Sequence, residues 1–185
     1  MKDLSKAELK DIKENDLKLI LDWRNQELIR KVMFNSGIIL MDQHVEWFNR
    51  LKQSTTEISK IFYYNQVPYG VLNINQIDRI NNNCKWGFYI GTSNAPRGMG
   101  KILGFTSLNY IFKGLSIRKL SAEVLSINEK SANFHQMLGF TREGVLHKHI
   151  IKDDFYVDIL LYRLFKEEWE EHALNIQRRI EGRYL

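Results

Sequence analysis

The stretch Asn94-Ala95-Pro96-Arg97-Gly98-Met99-Gly100-Lys101 constrains this chain more than any other. It joins a strand-like run ending at Ile90 to a helical pattern from about Lys101 to Lys113, so a strand passes at once into a helix. Paired glycines beside a basic residue at a helix start make a cradle for a phosphate or pyrophosphate, because free N–H groups and the positive helix end point the same way. The same string also serves as a plain strand-to-helix turn, and taken alone the loop does not choose between the two.

The flanking segments set the architecture. Residues 8–12 read as a short first strand, after which Asp16 is placed to cap a helix carrying Leu17, Ile20, Leu21 and Trp23. The segment breaks at Trp23-Arg24-Asn25, a string with no evident capping or core reason, and a helical turn follows around Glu27 to Lys31. The aperiodic apolar piece Val32 to Leu40 reads either as a loop carrying hydrophobes toward a pocket or as a short buried strand. Asp42 is expected to cap a helix with His44, Trp47, Phe48 and Leu51 at helical spacings.

From Glu57 the period changes to two. Ile58–Tyr64 and Val67–Ile77 predict an antiparallel hairpin turning at Asn65-Gln66, and Cys84–Ile90 a third strand with Trp86, Phe88 and Ile90 on one face. Gly87, inside that strand, marks a bulge or the close approach of another backbone or a ligand. After the glycine loop and its helix come a strand over Lys119–Leu125, a helix from about Glu129 to Leu138 stopped by Gly139, and a second strand system through Phe140, Val145, Leu146 and Ile150-Ile151. A turn at Asp153-Asp154, a last strand over Phe155–Leu164 and a charged helix with a loose end from Lys166 onward complete a mixed α/β (α+β) arrangement. With 185 residues and 44% hydrophobic composition, one domain over 1–185 is expected.

Charge and composition narrow the partners. The formal charge is +5 with no dense basic run before Arg178-Arg179, which favours a focused anionic site over a nucleic-acid groove. The single cysteine, Cys84, excludes an intramolecular disulfide and a cysteine-rich zinc site, so no metal is expected. The amino terminus is polar and no apolar run is long enough for a membrane span, so the chain reads as soluble and cytoplasmic.

These features converge on acyl transfer from a large phosphorylated cofactor. An interruption at Gly87 would free N–H groups for a carbonyl or an amide-bearing arm, and the loop at Gly98 and Gly100 would hold a pyrophosphate. Asn128 stands at a helix start with His135 two turns later on the same face. A group at His135 would reach a departing thiolate, while Glu123 would take a proton from an incoming amine directly or through water.

At this point the chain resembles the GCN5-related N-acetyltransferases. The resemblance rests on Leu120-Ser121-Ala122-Glu123-Val124-Leu125, then Asn128 and Ser131, then Leu138-Gly139-Phe140 and Glu143-Gly144, together with the Gly98/Gly100 pair. It implies a twisted, mixed, mostly antiparallel sheet flanked by helices, with acetyl-coenzyme A as donor. It further implies cofactor contacts from Phe88, Tyr89, Ile90, Arg97, Gly98, Met99, Gly100, Lys101, Asn128 and Ser131. His135 stands where the family commonly has a tyrosine acting as general acid, and an imidazolium would have to replace it. Ala95 stands where the family usually has glutamine or arginine.

Within the family the chain is most similar to the branch that acetylates nucleotide-linked amino sugars in pseudaminic acid biosynthesis and flagellin glycosylation. That likeness rests on Trp23-Arg24-Asn25, Met33-Phe34, His44 with Trp47, and the late string from His149 to Trp169. It implies a UDP-linked 4-amino-4,6-dideoxy-N-acetyl-β-L-altrosamine acetylated on its 4-amino group, in a monomer or homodimer. Arg24 and His44 would meet the diphosphate, Met33, Phe34 and Trp47 would line the apolar side, and Trp86 and Glu123 would complete the acceptor site. Two other readings stand beside it: an N-terminal acetyltransferase of the ribosomal-protein type, and a non-catalytic acyl-coenzyme A-binding module.

Overall fold

The computed structural model describes residues 2–182; the carboxyl-terminal end expected to be loose falls largely outside them. In chain order the elements are β1 (Ala7–Asp11), α1 (Leu17–Arg24), α2 (Glu27–Arg30), α3 (Met41–Gln53), β2 (Ile58–Tyr64), β3 (Val67–Asp78) and β4 (Asn83–Ile90). They continue with α4 (Met99–Asn109), β5 (Lys119–Leu125), α5 (Glu129–Met137), β6 (Thr141–Lys152), β7 (Phe155–Phe165) and α6 (Lys166–Glu181). The strands form a 7-stranded sheet in the order β1-β2-β3-β4-β5-β7-β6. Every neighbouring pair is antiparallel except β4 and β5. The strand system expected to be separate after α5 is therefore the far edge of the same sheet, with β7 folding back between β5 and β6.

Local chemistry explains the turns. Asn65 and Gln66 take φ of 52° and 65°, and Asp153 and Asp154 take 46° and 67°. Left-handed backbone at both turn positions matches the strand twist, and short polar side chains tolerate it better than branched ones. Alternation along β2 and β3 then sends successive apolar residues to opposite faces. Ile61 and Val71 pack with Leu17, Ile20, Trp23 and Phe48 under α1 and α3. Phe62, Leu72 and Ile74 pack with Ile102, Leu103, Phe112 and Trp169 under α4 and α6. Trp169, fully buried, anchors the charged last helix and donates its Nε1–H to Asn109 Oδ1 at 3.2 Å.

Several local expectations are corrected. Asp42 lies inside the first turn of α3; the N-cap is Leu40, whose N–H is held by Gln43 Oε1 at 2.9 Å. Asp16 precedes α1 but its carboxylate bonds back to Lys13 N at 2.8 Å rather than into the helix. α4 begins at Met99, two residues early, because Gly98 at φ 90° supplies a left-handed entry that closes the first turn sooner.

The string Trp23-Arg24-Asn25 also has structural reasons that the linear sequence hid. Trp23 is buried with its ring against Gly91 at the end of β4, where an added Cβ would lie 2.1 Å from the indole. Asn25 braces the 32–40 segment, donating to Ile39 O and accepting from Ile39 N, each at 2.9 Å. Gln26 Nε2 donates to Gly91 O at 2.7 Å. The 32–40 segment is a loop, with Phe34, Ile38 and Leu40 well exposed. Because a rigid indole cannot yield to a methyl group, Gly91→Ala is expected to lower unfolding free energy by about 1–3 kcal/mol, read as a reduced denaturant midpoint. An unchanged midpoint would show that the docking of α1 on β4 is loose.

Candidate active site

The site begins where two strands part. β4 and β5 pair only from Asn83–Lys119 to Lys85–Ser121, after which β4 keeps β3 and β5 keeps β7 but they no longer pair with each other. The β5-facing backbone groups from Trp86 to Ile90 are thus without a strand partner, an arrangement that calls for an amide-bearing ligand or water. The ladder to β3 continues through Asn73–Gly87, so Gly87 is not a bulge as its position suggested. In the β2–β3–β4 ladders the shifts in register fall at Phe62/Tyr63 and Asn75/Asp78 instead. What Gly87 provides is room: a Cβ there would meet nothing within 4 Å.

That room joins two cavities of about 620 Å³ each. One follows the parting and is lined by β4 from Lys85 to Ile90, by Glu123 to Leu125, by Asn128 and Ser131 at the start of α5 and by His135 in its last turn. The other lies under α1 and α3 and is lined by Arg24, Gln43, His44, Trp47, Arg50 and Ser59 among others. Met33, Glu57, Asn73, Asn75, Gly87, Phe88 and Tyr89 border both. Alternation along β4 buries Cys84 and Trp86 in the α4 face, leaving Lys85, Gly87 and Tyr89 on the open one. Glu123 joins them by ion-pairing with Lys85.

In the second cavity Arg24 and His44 each keep one nitrogen without a partner among the described residues. Arg24 spends Nη2 on Asn35 O at 2.7 Å, while its Nη1 is buried without a partner among the described residues. Burial lowers its pKa, opposed by Tyr89 and reinforced by Arg30. His44, 5% exposed, stacks on Trp47 with ring centroids 4.9 Å apart. Burial also lowers the His44 pKa, against a bond to the Leu17 backbone, and its Nε2 has no partner among the described residues.

The residues expected to serve the cofactor divide. Asn128 caps α5, its side chain accepting from Ser131 N at 3.1 Å. In the glycine loop Met99 is a core residue whose N–H already donates to Pro96 O at 3.1 Å, and Lys101 N donates to Gly98 O at 3.0 Å. Among the described residues no backbone acceptor takes the N–H of Arg97, Gly98 or Gly100, so the cradle rests on these. Arg97, Gly98 and Lys101 border a separate cavity of about 310 Å³ with Lys2 and Arg179. Of the acceptor residues, Phe34 and Trp86 border the cavity of the strand parting rather than the one under α1 and α3. Trp86 stacks on Phe140 in the core, and only its unpartnered Nε1–H remains for a ligand.

His135 departs most from its expected chemistry. It is 4% exposed among Trp86, Phe88, Phe140 and Tyr162, and its Nδ1 is 2.7 Å from Ser131 O, which makes Nδ1 the protonated nitrogen. Burial pushes its pKa down to about 4, against that backbone bond. The ring is neutral near pH 7, with a bare Nε2 that accepts rather than donates. An imidazolium acid is therefore not what these surroundings hold, for want of any anion to offset desolvation. Lys85, Asn73, Asn75 and Glu57 were not singled out in the sequence; polar residues at alternate positions of the apolar run Val71 to Gln76 were the available signal.

A sheet with one parallel seam that opens after three residue pairs, a glycine loop behind it and a helix start facing the gap define an acyl-coenzyme A-binding fold. Residues 9–161 match the family model described as an acetyltransferase (GNAT) domain, and the chain belongs to that family, whose acetyl donor is acetyl-coenzyme A. It is 32% identical over 90 residues to the SPbeta prophage-derived uncharacterized N-acetyltransferase YokL of Bacillus subtilis, covering 48% of this chain and 51% of that one. It is 22% identical over 156 residues to the spermidine N(1)-acetyltransferase of Vibrio cholerae, covering 84% and 90%. The chain spans about half the length of the first curated relatives it matches. The crystal structure of spermidine N-acetyltransferase from Vibrio cholerae in complex with CoA and spermine superposes with a TM-score of 0.84 at 20% identity, over 90% of this chain and 99% of that one. No described helix is long and apolar enough to cross a membrane, and the described residues hold no group of His, Cys, Asp and Glu suited to a metal ion.

Two outcomes follow from the geometry. Gly87→Val fills open space on a strand, so its melting temperature is expected to stay within about a degree of wild type while acetyl transfer falls at least about tenfold; unimpaired transfer would mean the two cavities do not work as one. For His135 the folded-state pKa lies below the unfolded value of about 6.5, so the unfolded chain takes up the proton first. Its contribution is full above that pH and is lost as pH falls toward about 4, up to roughly 3 kcal/mol. Denaturant midpoints measured across this window are expected to fall more steeply for wild type than for His135→Phe, and parallel profiles would sink the assignment.

Proposed function

We propose that the protein is an acetyl-coenzyme A-dependent N-acetyltransferase whose acceptor is an amino sugar carried on a nucleoside diphosphate, and that the carrier is UDP and the reacting group the 4-amino group of a 4,6-dideoxy sugar. The observation that carries this reading is the buried, unpartnered Nη1 of Arg24 in a cavity that also presents the bare Nε2 of His44. A guanidinium with one arm fixed on Asn35 and one free suits a diphosphate oxygen, and a stacked His44–Trp47 platform suits a planar base. Met33 offers the apolar contact that a 6-deoxy methyl group would use.

The donor side fits the residues present. The free N–H groups of Arg97, Gly98 and Gly100 at the start of α4 suit a pyrophosphate, and the parted edges of β4 and β5 suit the amides of a pantetheine arm. Glu123 lines the cavity of the strand parting, where it takes a proton from the attacking amine, directly or through water. The neutral His135 offers Nε2 as an acceptor at the wall and leaves protonation of the thiolate to water or to the amine itself.

A polyamine acceptor is the second reading, favoured by Glu46 and Glu57 in the lining of the same cavity and by the spermidine acetyltransferase relative. Offering a UDP-linked amino sugar, spermidine and an alanine-ended peptide in parallel, with products followed by mass, separates the readings. The expected result is acetylation of the nucleotide sugar, with Arg24→Ala raising its KM at least about tenfold and leaving the affinity for acetyl-coenzyme A unchanged. Preferred turnover of spermidine, or equal loss of both affinities, would overturn the acceptor assignment.

A further inference from the structure

Lys85 is the last residue of β4 still paired with β5, and its side chain stands on the open face of the sheet at the mouth of the parting. Among the described residues it is the one lysine bordering either of the two large cavities. Its Nζ donates to Glu123 Oε1, and neither side chain is sealed off, at 35% and 30% exposure. A primary amine hydrogen-bonded to the proposed base, in the same cavity as Ser131 and His135, is the arrangement that an incoming acceptor amine must itself adopt.

We infer that Lys85 is an internal acceptor, so that without an external amine the protein transfers an acetyl group to its own Lys85. The inference rests on the donor and base assignments above. The Lys85 ammonium gives one proton to Glu123, and its lone pair then attacks the thioester carbonyl carbon. The C–N bond forms as the C–S bond breaks, and the thiolate leaves with the electron pair. The second proton lost from nitrogen passes to the thiolate through water, yielding the free thiol, and Glu123 releases its proton to solvent. The product is a neutral amide, so the Lys85–Glu123 ion pair is lost and Glu123 keeps its charge with no cation from this strand beside it. An external amine competes for the same carboxylate and suppresses the modification.

The test incubates the full chain with acetyl-coenzyme A and no acceptor, then reads intact mass and peptide maps. The expected result is one acetyl group on the peptide holding Lys85, at a rate independent of protein concentration. Glu123→Gln is expected to slow it at least about tenfold, and Lys85→Arg, which keeps a cation beside Glu123, to abolish it with an unchanged melting temperature. Modification spread equally over exposed residues such as Lys18 and Lys31, or undiminished after heat denaturation, would mark plain chemical acetylation and overturn the inference. So would an unmodified Lys85 in protein that acetylates an external amine, an outcome that leaves the proposed function standing. Failure of both internal and external transfer would remove the donor reading and the inference with it.

Discussion

The rest of the molecule depends on the parting of two parallel strands. β4 and β5 pair only as far as Lys85–Ser121, and each is kept in place beyond that by its other neighbour. A sheet that opens in its middle exposes backbone donors and acceptors that folding normally pairs, which is tolerable only where something else will bond them. Both adjoining ladders resist closure: β3 holds β4 through Gly70–Ile90, and β7 holds β5 through Leu125–Ile159. The gap is thus built by pairing elsewhere, and the start of α5 lines it through Asn128 and Ser131.

On the other face, α1, α3 and the loop before α3 make the wall of the second cavity. Trp23 seats the wall on Gly91, Gln26 ties it to the same glycine, and Asn25 holds the loop at Ile39. Arg30 adds bonds to Asn25 O at 3.0 Å and Ser36 O at 2.7 Å, and Lys152 of the β6–β7 hairpin reaches Arg30 O at 3.4 Å. Burial lowers the Lys152 pKa, opposed by Asp153 and reinforced by Arg24. Arg24 is the one side chain of the string Trp23 to Gln26 with a fully buried polar atom that has no partner among the described residues.

Much of this was legible beforehand, and the misses have physical causes. Turns such as Asn65-Gln66 and the strand Lys119–Leu125 are local events, readable from the few residues that make them. Gly87 stands out within its strand in the sequence, but whether it bends the strand or opens a space depends on what stands across from it, which is another element altogether. Trp23 and Asn25 looked free of structural duty because their partners, Gly91 and Ile39, lie far along the chain or across a loop. The charge that the resemblance implies for His135 is denied by its position: a sequence shows a histidine, but only the packed rings of Trp86, Phe88, Phe140 and Tyr162 show that its cationic form is desolvated.

The sequence by itself determined the element order, the mixed sheet, the glycine loop and the family, because periodicity, turn residues and short motifs are encoded within a few positions. Tertiary structure alone decided which polar groups are left over. The unpartnered Nη1 of Arg24, the bare Nε2 of His44, the pairing of Lys85 with Glu123 and the vacant side of Gly87 each depend on residues brought together from separate elements. Whether a donor or acceptor is satisfied is a property of its surroundings, and burial, the quantity that makes such a group chemically consequential, exists only once the chain has packed.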